Sequence, residues 1–155
     1  MNPSVYIETT IPSYLVARPS RDVVLAGHQE ATREFWTLRK HQFDLYISAL
    51  VIDEAGSGEP EMAAKRLECL RGLKILNSTD ESDALALLLV ARLGLPKKAE
   101  ADAYHIAIAA VYSMDFLLTW NCKHIHNLHM QRRIEETCRK AGFVPPVIGT
   151  PDELI

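Results

Sequence analysis

The chain has 155 residues and a mass of 17.4 kDa, the size of one ordinary domain. Its 48% hydrophobic, 24% charged and 7% aromatic residues describe a globular protein with a core of its own, and exclude collagen-like, disordered and disulfide-dense classes. A formal net charge of −3 argues against a surface that coats nucleic acid, and the longest apolar run, near residues 85–91, is far short of the roughly 20 residues of a membrane span.

Short apolar runs alternate with longer segments of helical period. Val5-Tyr6-Ile7 is a β-prone run ending at Glu8. Residues 22–41 carry Val24, Ala31, Phe35 and Leu38 at helical spacing, with Asp22 placed to cap. Leu45-Tyr46-Ile47 is a second strand, and residues 49–55 form a short helix stopped by Gly56-Ser57-Gly58. A helix over 59–70 starts with Pro60 in its first turn, and 73–76 is a third strand. Thr79 or Asp80 caps a helix over 81–93, which Gly94 and Pro96 close. Residues 98–113 read as a strongly apolar helix, and Phe116-Leu117-Leu118 as a fourth strand. An amphipathic helix spans 128–141 up to Gly142. Pro146-Val147-Ile148 is a last strand, restricted to a sheet edge by its prolines.

Strands separated by helices predict βαβ units: an α/β fold of three layers, α/β/α, around a mostly parallel sheet of four to five strands. No repeat or linker divides the chain, so residues 1–155 read as a single domain. Cys69, Cys122 and Cys138 form no C-x-x-C pair and read as reduced thiols. The start Met1-Asn2-Pro3-Ser4 lacks the pattern of a signal peptide, and the expected location is the cytoplasm.

In an open parallel sheet, ligands sit beyond the carboxyl ends of the strands. Glu8-Thr9-Thr10 follows the first strand there. Ser48 follows the second, with Asp53 and Glu54 at the far end of the short helix. Asp102 lies in the first turn of the helix before the fourth strand, and Thr119-Trp120-Asn121 follows that strand. Carboxylates from three segments would repel one another unless cations fill the space between them. Oxygen ligands favour Mg²⁺ or Mn²⁺, which can activate water and stabilise an in-line phosphoryl displacement. Glu8 interrupts the end of an apolar strand, where a charge must stay wet, pair or bind metal.

These segments carry a resemblance. The run Val5-Tyr6-Ile7-Glu8-Thr9-Thr10-Ile11-Pro12-Ser13-Tyr14-Leu15 resembles the opening of PIN domains, small metal-dependent ribonucleases that include the toxins of VapC-type toxin–antitoxin pairs. Ser48-Ala49-Leu50-Val51-Ile52-Asp53-Glu54 resembles their second acidic segment. Asp102-Ala103-Tyr104-His105-Ile106-Ala107-Ile108-Ala109 resembles the helix carrying the third acid, and Met114-Asp115-Phe116-Leu117-Leu118-Thr119-Trp120-Asn121 the strand and polar tip that follow. The resemblance implies a metal site of Glu8, Glu54, Asp102 and Asn121, with Thr9 and Thr119 orienting ligands or water and Asp53 as a second-rank ligand. Glu8 stands where the family usually has aspartate, and Asn121 where many members have a fourth acid. Glu8 is one methylene longer, and Asn121 keeps an oxygen but loses the charge. The resemblance further implies an RNA substrate, an antitoxin protein as partner and a homodimer. It places dimer or antitoxin contacts on the first two helices, where Leu15, Val16, Phe35, Trp36 and Leu38 lie.

Charge is unevenly placed. Residues 42–120 hold seven basic and twelve acidic side chains, whereas 121–141 hold five basic and two acidic. Within the latter, Lys123, Arg132 and Arg133 are the candidates to hold RNA phosphates. His124, His126 and His129 lie there too, but their spacing does not put three imidazoles on one helix face, which favours polar surface or phosphate contacts over zinc. His105 reads as a packed, hydrogen-bonded core histidine, and Trp120 as a packing residue, with stacking of a base at a site rim as the alternative. There is neither a G-x-x-x-x-G-K-[ST] nor a G-x-G-x-x-G loop for a nucleotide. A metal-dependent endoribonuclease, the toxin of a pair, is therefore the expected function. The competing expectation is a PIN-like RNA- or protein-binding module with a weakened site.

Overall fold

The computed structural model describes residues 1–154. Five strands form one sheet: β1 (Ser4–Ile7), β2 (Asp44–Ser48), β3 (Lys74–Leu76), β4 (Phe116–Leu118) and β5 (Val147–Gly149). All neighbours pair in parallel, in the order β3-β2-β1-β4-β5. The proline-restricted last strand lies at an edge, as its sequence requires.

Seven helices connect the strands: α1 (Thr10–Val16), α2 (Val23–Glu34), α3 (Ala49–Ala55), α4 (Pro60–Leu70), α5 (Asp80–Leu93), α6 (Glu100–Val111) and α7 (Leu128–Lys140). Helix α1 packs on α2 and α4, and α5 packs on α6 and α7. With this strand order, the right-handed rule for parallel crossovers puts the first group on one face of the sheet and the second on the other. Strand order thus reverses between β1 and β4, so the chain leaves these two strands toward opposite faces and opens a crevice at their carboxyl ends.

Local chemistry sets the helix ends. The Asp22 carboxylate accepts the Leu25 backbone N–H, Ser48 that of Val51, and Thr79 that of Ser82, whose hydroxyl in turn accepts the Thr79 N–H. Helix α1 has little periodic signal because it is short and contains Pro12. Proline is tolerated there because first-turn N–H groups have no partner within a helix. The helix expected over 22–41 changes form near its end. After Glu34 the backbone widens to a π-helical turn (Phe35–Arg39) and then tightens to a 3₁₀ turn (Lys40–Gln42), while Phe35 is buried beside Phe43.

Helix α5 ends on Gly94 at φ 64°, a left-handed conformation. Nothing lies within 4 Å of a Cβ added there, so Gly94→Ala would cost backbone strain alone. A loss of roughly 1–2 kcal/mol is expected in urea unfolding, with an unchanged m-value.

The core is one cluster on both sides of the sheet. Val5, Tyr6 and Ile7 of β1 and Leu117 of β4 are inaccessible, as are Ile106, Ala107 and Ala110 of α6. No helix is long and apolar enough to cross a membrane among the described residues, and the three cysteines are free thiols.

Candidate metal centre

Side chains alternate along a strand, so Tyr6 and Glu8 point to the same side of the sheet, with Glu8 just past the end of β1. Thr119 lies just past β4, across the crevice: Glu8 N–H donates to Leu118 O at 3.1 Å and Thr119 N–H to Gly149 O at 3.0 Å. Helix α3 brings Glu54 from the end of β2, and α6 brings His105 from the opposite layer. One ligand atom from each of Glu8, Glu54 and His105 lies within 4.8 Å of the others.

Glu8 is 4% exposed. Its Oε1 accepts hydrogen bonds from the Thr10 hydroxyl at 2.5 Å and the Thr119 hydroxyl at 2.6 Å. Both hydroxyls are themselves aimed by the tip loop. Trp120 N–H donates to Thr10 Oγ1 at 2.7 Å, and Asn121 N–H to Thr119 Oγ1 at 2.9 Å. Glu54 is held in the same way, its Oε1 accepting from Thr9 Oγ1 at 2.6 Å and from His105 Nε2 at 2.6 Å. In each glutamate one oxygen is gripped, and among the described residues no hydrogen bond reaches the other, Oε2.

Among the described residues, no lysine or arginine pairs with either glutamate. At an effective dielectric of about 20, two unit charges 4.8 Å apart repel by about 3.5 kcal/mol before solvent screening, which the 33% exposure of the Glu54 side chain reduces. Two acceptor-only groups, each with one oxygen uncommitted and neither paired with a lysine or arginine, fit a hard divalent cation.

His105 is fully buried, and both ring nitrogens are engaged. Nε2 meets Glu54, and Nδ1 meets the Tyr6 hydroxyl at 2.7 Å, which lies 2.7 Å from Ser48 Oγ. Burial disfavours the imidazolium, but the hydrogen bond to Glu54 and the charges of Glu8, Glu54 and Asp102 outweigh it and raise the His105 pKa. Burial also acts against the charged form of Glu54, and the His105 and Thr9 contacts overcome it, lowering its pKa. Burial pushes Tyr6 far up, so its hydroxyl keeps its proton.

The other expected ligands are placed differently. Asp102 Oδ2 sits 3.1 Å from His124 Nδ1, outside the cluster formed with His105 one turn along α6. Asn121 Oδ1 accepts the His124 backbone N–H at 2.9 Å, so its carbonyl shapes the turn that presents His124. Asp53 is exposed on another side of α3, where it lines a cavity of about 450 Å³ with Asp83 and Glu100. Lys123, Arg132 and Arg133 are all exposed. The three clustered histidines part company: His124 faces Asp102, His126 lies 3.0 Å from Glu153, and His129 is exposed. Trp120 is 8% exposed, stacks on His28 with centroids 4.1 Å apart and donates Nε1–H to Thr32 Oγ1. It packs the rim and offers no free face to a base.

In the sequence, His105 reads as a core residue with little to connect it to the acids. The available signal was its position three residues after Asp102, which in a helix puts both on one face. Thr10 likewise carries no signal of its own beyond the Glu8-Thr9-Thr10 run.

The tip loop is tied down at its far end by Glu153. The Thr150 backbone N–H lowers the Glu153 pKa most, against a smaller opposing effect of burial, with help from the Thr150 hydroxyl and His126. A lowered folded-state pKa contributes stability that is present at neutral pH and lost as pH falls through that value. Glu153→Gln is therefore expected to flatten the acid limb of a stability–pH curve below about pH 4.5 and to leave the alkaline limb unchanged.

No protein-family model matches the sequence, and no curated protein matches it significantly. A solved structure does match in three dimensions: a chain of VapBC2 from Rickettsia felis, crystallised bound to a DNA fragment from their promoter. The TM-score is 0.60 over 95% of this chain and 98% of that one, at 16% sequence identity. Likeness at that identity is one of fold, and the all-parallel five-stranded sheet between its helices is consistent with a PIN-like fold.

Proposed function

We propose that the chain is a metal-dependent endoribonuclease, the toxin of a toxin–antitoxin pair. The observation that carries this reading is the pair of glutamates, Glu8 and Glu54, held a few ångströms apart at the switch point of a parallel sheet with no lysine or arginine paired to either among the described residues. Glu8 and Glu54 would hold Mg²⁺ or Mn²⁺, with Asp102 and Asn121 reaching it directly or through water. A cation bound there polarises a phosphoryl oxygen and makes a water more acidic. Thr10 and Thr119 orient Glu8, and Thr9 orients Glu54. The exposed Lys123, Arg132 and Arg133 would hold flanking RNA phosphates. The fold's likeness to a VapBC2 chain supports an antitoxin as partner and a cytoplasmic setting. A homodimer goes with the same reading.

The competing reading is a PIN-like module that binds RNA or protein without cutting. It is favoured by the hydrogen bonds that occupy Asp102 and Asn121 in a structure where a four-ligand shell would need them. Incubation of purified protein with RNA separates the two. The nuclease reading expects internal cleavage that requires Mg²⁺ or Mn²⁺, stops with EDTA and disappears in Asp102→Asn. RNA retention without cleavage across millimolar concentrations of both metals would select the binding module.

A further inference from the structure

We propose that Ser48, Tyr6 and His105 form a buried positioning chain that fixes Glu54 as a cation ligand, with His105 a positioning residue and not a ligand. The proposal rests on the cation-binding reading above and deepens it.

Four hydrogen bonds run in series. Val51 N–H donates to Ser48 Oγ at 3.3 Å, Ser48 meets Tyr6 at 2.7 Å, Tyr6 meets His105 Nδ1 at 2.7 Å, and His105 Nε2 meets Glu54 at 2.6 Å. Tyr6 and His105 are inaccessible and Ser48 is 1% exposed. An apolar side chain could fill each place, and buried polar groups are costly unless satisfied. Every link here is satisfied, and the chain ends on Glu54. The directions are consistent: Nε2–H donates to the carboxylate whether the ring is neutral or protonated. In the neutral ring Nδ1 accepts the Tyr6 O–H, which in turn accepts from Ser48.

The chain joins both ends of one short element. Ser48 caps the first turn of α3, and Glu54 lies in its last turn. The route between them passes through β1 and α6, so the seven-residue helix is held at each end against the sheet and against the opposite layer. With Thr9 on the same Oε1, the Glu54 carboxylate has one rotational setting, and Oε2 remains for the cation. His105 has no nitrogen to spare, which leaves an oxygen donor set suited to Mg²⁺ or Mn²⁺ over Zn²⁺.

Mn²⁺ titration of the protein as purified, followed by electron paramagnetic resonance, tests this. His105→Ala is expected to weaken Mn²⁺ binding about 10–100-fold, as loss of a group that orients a ligand does. Tyr6→Phe keeps the shape and cuts one hydrogen bond, for an expected loss of about 5-fold. His105→Gln, whose amide N–H can reach Glu54, should recover most of the affinity. Spin-echo modulation of bound Mn²⁺ should show no directly bonded nitrogen. Wild-type affinity in Tyr6→Phe and His105→Ala, or strong coupling to an imidazole nitrogen, would overturn the inference and leave the nuclease reading standing. A wild-type protein that binds no Mn²⁺ at millimolar concentration would bring down both. Should His105→Ala not fold, as circular dichroism would reveal, the isosteric Tyr6→Phe decides the matter.

Discussion

Glu54→Gln is expected to reduce metal-dependent RNA cleavage by at least about 100-fold while leaving the fold intact. Losing a group that merely orients a ligand typically costs 10–100-fold, and losing a ligand's charge should cost no less. The fold should survive because glutamine retains the oxygen that Thr9 and His105 now contact, and because the side chain is partly exposed. Cleavage kinetics at saturating Mn²⁺, paired with a circular dichroism spectrum, check both halves. The diagnostic feature is where the loss falls. If Glu54 acts on the reacting phosphate through a cation, kcat falls and RNA affinity does not. A variant that keeps near-wild-type kcat would sink the assignment of Glu54 to the centre.

The architecture was largely legible in the sequence because it rests on local signals. Strands such as 116–118 are continuous apolar runs, as strands buried on both faces must be, and the helices carry caps at Asp22 and Thr79 that the structure uses. Glu8 stands out in the sequence for a different reason: a charge at the end of a buried strand is anomalous on its own, whereas Glu54 is picked out only by its place beyond the second strand and by the resemblance. What local signals could not carry was the wiring. Ser48, Tyr6, His105 and Glu54 come from β2, β1, α6 and α3, and only the tertiary packing makes them neighbours. For an isolated histidine on an apolar helix, the core reading is the sound prior, and here it describes the burial correctly while missing the partner. Asp102 shows the converse. Its position at the head of α6 suits a ligand, yet a contact from the tip loop, His124, competes for its carboxylate. The widened turn at Phe35–Arg39 was also beyond reach, since the 3.6-residue period of that segment continues in the sequence after the backbone has departed from it.

The second large effect is expected at Glu8, where function and stability should pull apart. Glu8→Gln removes a charge from a site that is 4% exposed and has no lysine or arginine partner, while its carbonyl oxygen can still accept from Thr10 and Thr119. Without divalent cations the variant should therefore melt at or above the wild-type temperature, since the desolvation cost of that charge and its repulsion from Glu54 are both gone. Adding cation reverses the order. A ligand that binds only the folded state at 100 times its Kd stabilises by about 2.7 kcal/mol, which is about 5–10 °C for a chain of this size. The wild type should gain that increment with Mn²⁺ and lose it with EDTA, whereas Glu8→Gln should gain almost none. Calorimetric melts of both proteins, with Mn²⁺ and with EDTA, measure all four states. A Glu8→Gln protein that melts below the wild type in EDTA and still gains several degrees from Mn²⁺ would mean that Glu8 supports the crevice as an ordinary buried acid and that the cation is held elsewhere. The expected pattern would mean that the acid pair is an electrostatic cost the apo fold tolerates, and that the bound cation relieves it.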